Sequence, residues 1–206
     1  MCIWPRFVRL AKQRLAKSPI RVATVVNFPK GDADTTTIVS ETEAVISDGA
    51  DEIDMVIAYR LLADKPADVE AQIAAVRSAA PGRVLKVILE TGELKDPALI
   101  RRAAEIAIAG GADFIKTSTG KVAVNATAEA AGVMLRVIAG HLGEIGCKPA
   151  GGIRTLDDVA VYFGLADEIL GPGWATPKTF RIGASGVLDV LLATLDDRAA
   201  GPGGGQ

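Results

Sequence analysis

The chain carries the stretch GADFIKTSTGK at residues 111–121, where a short apolar run ends on Lys116 and a small-residue turn follows. Two other stretches align with its first part without gaps, GADEID at residues 49–54 and LADEIL at residues 165–170. Each stretch indicates the end of a helix, a tight turn and the start of a strand. If these are alternate strands of a closed barrel, Asp54, Lys116 and Leu170 point inward from one layer.

Strand-like and helix-like segments alternate along the chain, which indicates a parallel sheet with helices outside it. The strand signals lie at residues 20–26, 52–57, 84–89, 114–117, 146–149 and 168–170, with a shorter stub at Cys2-Ile3. Residues 179–182 are a rival for the last of these strands. About seven strand segments are fewer than the eight of a (β/α)8 barrel, so the pattern fits either a barrel that is incomplete at its start or an open sheet.

The composition favours one layered α/β domain. The chain has 206 residues, of which 49% are hydrophobic and only 4% aromatic, so the core is expected to consist of Ala, Val, Ile and Leu. We predict a single domain over residues 1–198 and a disordered Gly-rich tail over residues 199–206. The net charge of −2 comes without a basic patch for nucleic acid, and no apolar run approaches the roughly 18 residues of a membrane span.

Cysteine and histidine are scarce, which argues against a metal site. The chain has two cysteines, Cys2 and Cys147, and a single histidine, His141. Zinc sites use three or four clustered His and Cys ligands, so we expect none here. A Ser-His-Asp triad would have only His141, which is predicted to be a solvated residue at a helix end. The cysteine usage and the absence of a signal-peptide pattern predict a cytoplasmic protein.

Two lysines, Lys116 and Lys148, stand at predicted strand ends, where a buried ammonium group is costly without partners. An ordinary lysine amine is protonated at neutral pH and cannot attack a carbonyl. Burial and a nearby second cation both favour the neutral, nucleophilic amine. A carboxylate such as Asp54 is suited to moving protons through a bound water. The three side chains therefore indicate either Schiff-base chemistry or a structural cluster of ion pairs.

Three glycine-containing turns that follow late strands indicate a phosphate site, because glycine lets backbone N–H groups approach an anion. The turns contain Gly120-Lys121, Gly151-Gly152 and Ser185-Gly186. In many barrels the phosphate lies after the last two strands, which fits the second and third turns. Lys86 and Glu90 lie along an apolar strand, where they either extend the polar network or make an ordinary interior contact.

Together these motifs resemble the deoxyribose-phosphate aldolase family, from Cys2 to about Leu195. The similar stretches are NFP at 27–29, DEID at 51–54, KVILETG at 86–92, KTSTGK at 116–121 and KPAGGIR at 148–154. The resemblance implies a (β/α)8 TIM barrel and a class I aldolase. Such an enzyme reversibly cleaves 2-deoxy-D-ribose 5-phosphate to D-glyceraldehyde 3-phosphate and acetaldehyde, in deoxyribonucleotide and deoxyribose catabolism. It needs no metal and no organic cofactor.

The resemblance also implies roles for individual residues. Lys116 would form the Schiff base, Lys148 would be the second lysine that favours its neutral form, and Asp54 would act in the proton relay. The phosphate would be held by Gly120, Lys121, Gly151, Gly152, Ser185 and Gly186. The partners would be small phosphorylated sugars and aldehydes, and family members are often homodimers.

Two departures from the family pattern leave alternatives. The first strand and helix of the family are absent before Cys2, so we expect a barrel with open sheet edges. The Gly-rich tail also lacks the C-terminal tyrosine that some members carry. The alternatives are a phosphosugar-binding remnant without catalytic activity, or a different Schiff-base aldolase of the same fold.

Overall fold

A computed structural model describes residues 1–199 of the chain. Its strands form one parallel sheet of six, in which neighbours in the sheet are neighbours in the chain. They are β1 (Cys2–Ile3), β2 (Ala23–Val26), β3 (Glu52–Val56), β4 (Val84–Ile88), β5 (Phe114–Lys116) and β6 (Gly146–Lys148). This order confirms the parallel βα arrangement that the alternating pattern predicts.

Helices follow the strands and cover the sheet. They are α1 (Val8–Arg14), α2 (Thr35–Ser47), α3 (Pro66–Ala79), α4 (Thr91–Leu94), α5 (Pro97–Ala109), α6 (Ala128–Ala139), α7 (Leu156–Leu170) and α8 (Val187–Ala199). Short polar side chains fix several starts, because they accept hydrogen bonds from unpaired N–H groups of the first turn. Asp34 caps α2 and Thr127 caps α6 in this way, and Thr155 forms a capping box with Asp158 at α7.

The predicted strand at residues 168–170 is wrong. Residues 168–170 are the last turn of α7 and not a strand. The rival, residues 179–182, runs beside β6 through bridges from Cys147 to Phe180 and from Ala150 to Gly183. The reason is periodicity, because buried Tyr162 and Ala166 continue at helical spacing into partly buried Ile169. Leu170 therefore lies on a helix and outside the predicted interior layer.

The sheet curves so that its two ends face the same interior space. One cavity of about 860 Å³ is lined by Cys2 of β1 and also by Gly183 and Ser185, which follow residues 179–182. Within residues 1–199, no backbone hydrogen bond joins β1 to residues 179–183. The structure therefore has the curvature of a barrel, with a gap between these two edges.

The core is aliphatic, as the composition predicts. The strands β2 and β3 are buried along their whole length, and Ile53, Met55, Leu85 and Ile115 have no exposed surface. Such burial on both faces is typical of a parallel sheet covered by helices. In residues 1–199 no helix has both the length and the apolar character needed to cross a membrane. Residues 200–206, most of the predicted disordered tail, lie outside the described residues.

Candidate active site

Asp54, in the middle of β3, is the centre of the polar interior. Its side chain has no exposed surface, and three lysine amines surround it. The Nζ atoms of Lys116 and Lys148 lie 2.8 and 2.6 Å from Oδ2, and the Nζ atom of Lys86 lies 2.7 Å from Oδ1. Asp54 and Lys116 thus share one interior layer, as the alignment of residues 49–54 with 111–116 predicts.

The network continues from Lys86 towards the other end of the barrel. Its Nζ atom lies 2.8 Å from Oε2 of Glu52, and Nη2 of Arg181 lies 3.6 Å from Oε1 of the same carboxylate. The connected group therefore holds four basic side chains and two acids. Because a buried excess of positive charge is unfavourable, the cluster favours the binding of an anion.

Both acids of the cluster are held in their ionised forms. Burial raises the pKa of Asp54, but the charges of Lys116, Lys148 and Lys86 outweigh it, and the pKa lies well below its ordinary value. Burial also raises the pKa of Glu52, and the charge and hydrogen bond of Lys86 reverse that effect. Asp54 is consequently ionised and accepts hydrogen bonds at neutral pH.

The lysines that share Asp54 differ in their access to the cavity. Lys116 and Lys148 are the last residues of β5 and β6 and are directly paired in register. They are 5% and 7% exposed and line the 860 Å³ cavity, into which a small substrate would fit. Lys86 also lines this cavity, but it lies inside β4, is only 1% exposed and has both acids as partners. It extends the polar network, which is one of the two possibilities that the sequence left open.

The predicted phosphate residues gather at the open end of this cavity, with one exception. Those that line it are Gly120, Gly151, Gly152, Ser185 and Gly186. In residues 1–199 no protein acceptor pairs with the backbone N–H groups of Gly120, Gly152, Ser185 and Gly186. The last two immediately precede α8, whose N-terminus favours negative charge.

The exception is Lys121, which lines a neighbouring cavity of about 150 Å³. That cavity is also lined by Lys116, Thr119 and Trp4, so the two cavities meet at Lys116 and Thr119. The Nζ atom of Lys121 lies 6.0 Å from the centre of the Trp4 ring. Its amine therefore lies beside the main cavity rather than on its wall.

Three residues of the site were missed or given little weight in the sequence reasoning. Glu52 and Arg181 complete the ion network, although neither was singled out as a site residue. Both could have been found, because each is a charged residue inside a strand-like segment. Glu52 begins β3, and Arg181 lies in residues 179–182. Cys2 also lines the cavity, with its Sγ atom 3.9 Å from Oδ2 of Asp54.

The remaining candidates lie apart from the cluster. Burial raises the pKa of the Cys147 thiol to about 12, so this buried group is unreactive. His141 is exposed just beyond the end of α6. Within the described part of the chain, no set of three or more His, Cys, Asp or Glu side chains is arranged to hold a metal ion.

Several known proteins that are similar to this chain are aldolases. A family model described as DeoC/LacD family aldolase matches residues 1–167. A deoxyribose-phosphate aldolase of Agrobacterium fabrum is 62% identical over 198 residues, which are 95% of this chain and 76% of that protein.

Two crystal structures provisionally described as deoxyribose-phosphate aldolases have a closely similar fold. The one from Coccidioides immitis is 33% identical with a TM-score of 0.85, and the match covers 94% of this chain and 72% of that one. The one from Toxoplasma gondii ME49 is 31% identical with a TM-score of 0.85, covering 96% and 81%.

Proposed function

The chain belongs to the DeoC/LacD family of aldolases, and from this premise we propose that it is a class I deoxyribose-phosphate aldolase. It would reversibly cleave 2-deoxy-D-ribose 5-phosphate to D-glyceraldehyde 3-phosphate and acetaldehyde. The observation that carries the proposal is the sharing of one carboxylate oxygen, Oδ2 of Asp54, by two strand-end lysines that open into the same cavity.

Lys116 is the proposed nucleophile. Two amines within 2.8 Å of one oxygen repel each other when both are charged, so Lys148 favours the state in which Lys116 is neutral. The Lys116 nitrogen attacks C1 of the open-chain sugar, and loss of water leaves a protonated imine. In this intermediate the positive charge lies on the imine nitrogen of Lys116. The ammonium group of Lys148 balances the negative charge of the Asp54 carboxylate.

Cleavage breaks the bond between C2 and C3 of the sugar. A base removes the proton of the C3 hydroxyl, the C3–O bond becomes a carbonyl, and the C2–C3 electron pair moves into the imine to form an enamine. Glyceraldehyde 3-phosphate leaves, the enamine is protonated at C2, and water releases acetaldehyde and restores the amine. We assign the proton transfers to Asp54 acting through a bound water, because its carboxylate is ionised and lies beside Lys116.

The phosphate is proposed to lie at the open end of the cavity. The unpaired N–H groups of Gly120, Gly152, Ser185 and Gly186 and the start of α8 suit a dianion. Gly151 shapes the same turn at a φ of +83°. Lys121 lies beside this wall and is proposed to act on the phosphate through a change of rotamer or through its long-range charge.

The cellular setting follows from the same proposal. The substrate and products are small phosphorylated sugars and an aldehyde, and the reaction belongs to the degradation of deoxyribose. Both cysteines are free, which suits the reducing cytoplasm that we propose as the compartment. A homodimer is the proposed assembly.

The test is to trap the imine. The protein is incubated with acetaldehyde and borohydride, and peptide mass spectrometry is expected to find an ethyl group on Lys116. Lys116→Ala is expected to abolish both the adduct and the cleavage of deoxyribose 5-phosphate, which is followed by coupling the released triose phosphate to NADH oxidation.

Each alternative predicts a different result. Binding of deoxyribose 5-phosphate without turnover by the wild-type chain would identify a non-catalytic phosphosugar-binding protein. Cleavage of ribose 5-phosphate in preference to the deoxy sugar would identify a different Schiff-base aldolase. An adduct or turnover that survives Lys116→Ala would contradict the assignment of the nucleophile.

A further inference from the structure

Glu90 is a buried acid that the proposed reaction does not use. It lies two residues after β4, at the end of the barrel where Lys116 and Lys148 open into the cavity, and has no exposed surface. Its backbone has φ 57° and ψ 55°, a left-handed conformation that is unfavourable for a residue with a long side chain. A buried carboxylate in such a conformation persists only where its surroundings hold it in place.

The Glu90 carboxylate holds the loop that follows Lys116. The Thr119 N–H donates to both of its oxygens, at 3.2 Å to Oε1 and 3.4 Å to Oε2. Backbone hydrogen bonds on either side bind the same two segments. The Leu89 N–H donates to the Lys116 carbonyl at 2.9 Å, and the Thr91 N–H donates to the Thr117 carbonyl at 2.9 Å.

Of three consecutive backbone N–H groups in this loop, the first and third have acceptors among the described residues and the middle one has none. The Thr119 N–H is turned towards Glu90, and the Lys121 N–H donates to the Thr119 hydroxyl at 3.0 Å. The Gly120 N–H between them has no acceptor within residues 1–199, and Gly120 lines the main cavity at a φ of +80°. The hydrogen bonds on either side therefore fix the direction of the one N–H that is left for a ligand.

We propose that Glu90 is a positioning residue for the phosphate arm of the substrate, which acts by holding Thr119 so that the Gly120 N–H faces the cavity. This inference rests on the proposed function for its substrate. Burial raises the pKa of Glu90, and the hydrogen bonds from Thr119 act against this by favouring the ionised carboxylate. An ionised acceptor suits the role because it makes stronger hydrogen bonds to backbone N–H groups than a neutral one. Glu90 is not among the described residues that line the main cavity, so its effect is expected on substrate binding through the loop.

Three variants separate this role from simple stabilisation. Glu90→Gln keeps an acceptor oxygen for Thr119. Glu90→Ala removes the acceptor and keeps the strained backbone. Glu90→Gly removes the acceptor but relieves the strain, so it is the variant to use if Glu90→Ala does not fold.

The readouts are KM and kcat for deoxyribose 5-phosphate and for deoxyribose without phosphate, and the affinity for inorganic phosphate by calorimetry. Glu90→Ala and Glu90→Gly are expected to raise KM for the phosphorylated sugar and Kd for phosphate roughly tenfold, the scale of one well-placed hydrogen bond. KM for unphosphorylated deoxyribose, kcat and borohydride trapping of acetaldehyde should change little. Glu90→Gln is expected to restore binding to within about threefold of wild type.

The outcomes distinguish this inference from the proposed function. A wild-type chain that neither cleaves the sugar nor forms the adduct would overturn the function, while the phosphate affinities would still test Glu90. Wild-type phosphate affinity in Glu90→Gly would show that the residue does not orient the loop. Equal losses for both sugars in Glu90→Ala, without rescue by Glu90→Gln, would show a general structural role and overturn the proposal.

Discussion

Two acids that are close in sequence, one just before β3 and one in its middle, have contrasting surroundings. Asp51, just before the strand, accepts the Val22 N–H at 2.8 Å and pairs with one base, Lys12, at 2.9 Å. Asp54, inside the strand, has three lysines and no exposed surface. The charge of Asp51 is balanced by one lysine near the surface. Asp54 lies in a buried group that has more positive than negative side chains.

The same division recurs around β5. Asp113, aligned with Asp51, accepts the Leu85 N–H at 2.7 Å and pairs with Arg77 at 3.0 Å. Lys116, aligned with Asp54, lies in the central cluster. Asp51 and Asp113 therefore tie a helix and the neighbouring strand to the sheet, while the residues three positions later are the ones proposed to carry the chemistry. This agrees with the general division of parallel barrels into a stabilising end and a catalytic end.

The strongest test of the comparison is to remove each acid in turn. Asp54→Asn is expected to lower the free energy of unfolding by about 3–5 kcal/mol, because it leaves buried lysines without their carboxylate. Asp51→Asn should cost only about 1 kcal/mol, since its pair is partly exposed. Urea denaturation at neutral pH measures both values, and equal losses would contradict the distinction.

A second test removes one base from each region. Lys148→Met is expected to lower kcat for deoxyribose 5-phosphate by about a hundredfold or more, because the second cation that favours a neutral Lys116 is lost. Its stability should change little, because the variant also removes surplus positive charge. The matched control, Lys12→Met, should keep wild-type kcat and lose a little stability. A Lys148→Met variant with normal kcat would assign that lysine to structure alone.

The smallest expected effect is a difference in pH dependence. The pKa values of Asp51 and Asp54 are both lowered from the ordinary 3.8, and that of Asp54 is lowered further. Their contribution to stability is thus fully present above pH 3.8 and is lost as pH falls through the lowered folded-state values. Acidification below about pH 4 should narrow the gap in unfolding free energy between wild type and each Asn variant, more so for Asp54→Asn. A gap that stays constant with pH would refute this.

Much of the fold could be predicted because its signals are local. Apolar runs and turn residues locate β2 to β6, and aligned positions in alternate strands place Asp54 and Lys116 in one layer. Residues 168–170 were misassigned because a short apolar run fits a helix and a strand equally well. Only the burial of Tyr162 and Ala166 shows which period applies.

Parts of the candidate site were beyond such reasoning. The contact of Arg181 with Glu52 joins residues that are far apart in sequence, and the pairing of residues 179–183 with β6 brings them together. The hydrogen bond from Thr119 to Glu90 depends on a left-handed backbone at Glu90, which residue type does not indicate. The direction of the Lys121 side chain depends on its packing beside the Trp4 ring.

The sequence by itself determined the parallel βα order, the two lysines at strand ends, the acid in their layer and the glycine turns beyond them. These depend on periodicity and on residue type, which are properties of short segments. Only the tertiary structure decided that Lys116 and Lys148 share a single oxygen of Asp54, that Lys86 and Arg181 extend the network, and that Glu90 holds the loop of Gly120. These depend on strand register and on sheet curvature, which the packing of the whole chain sets.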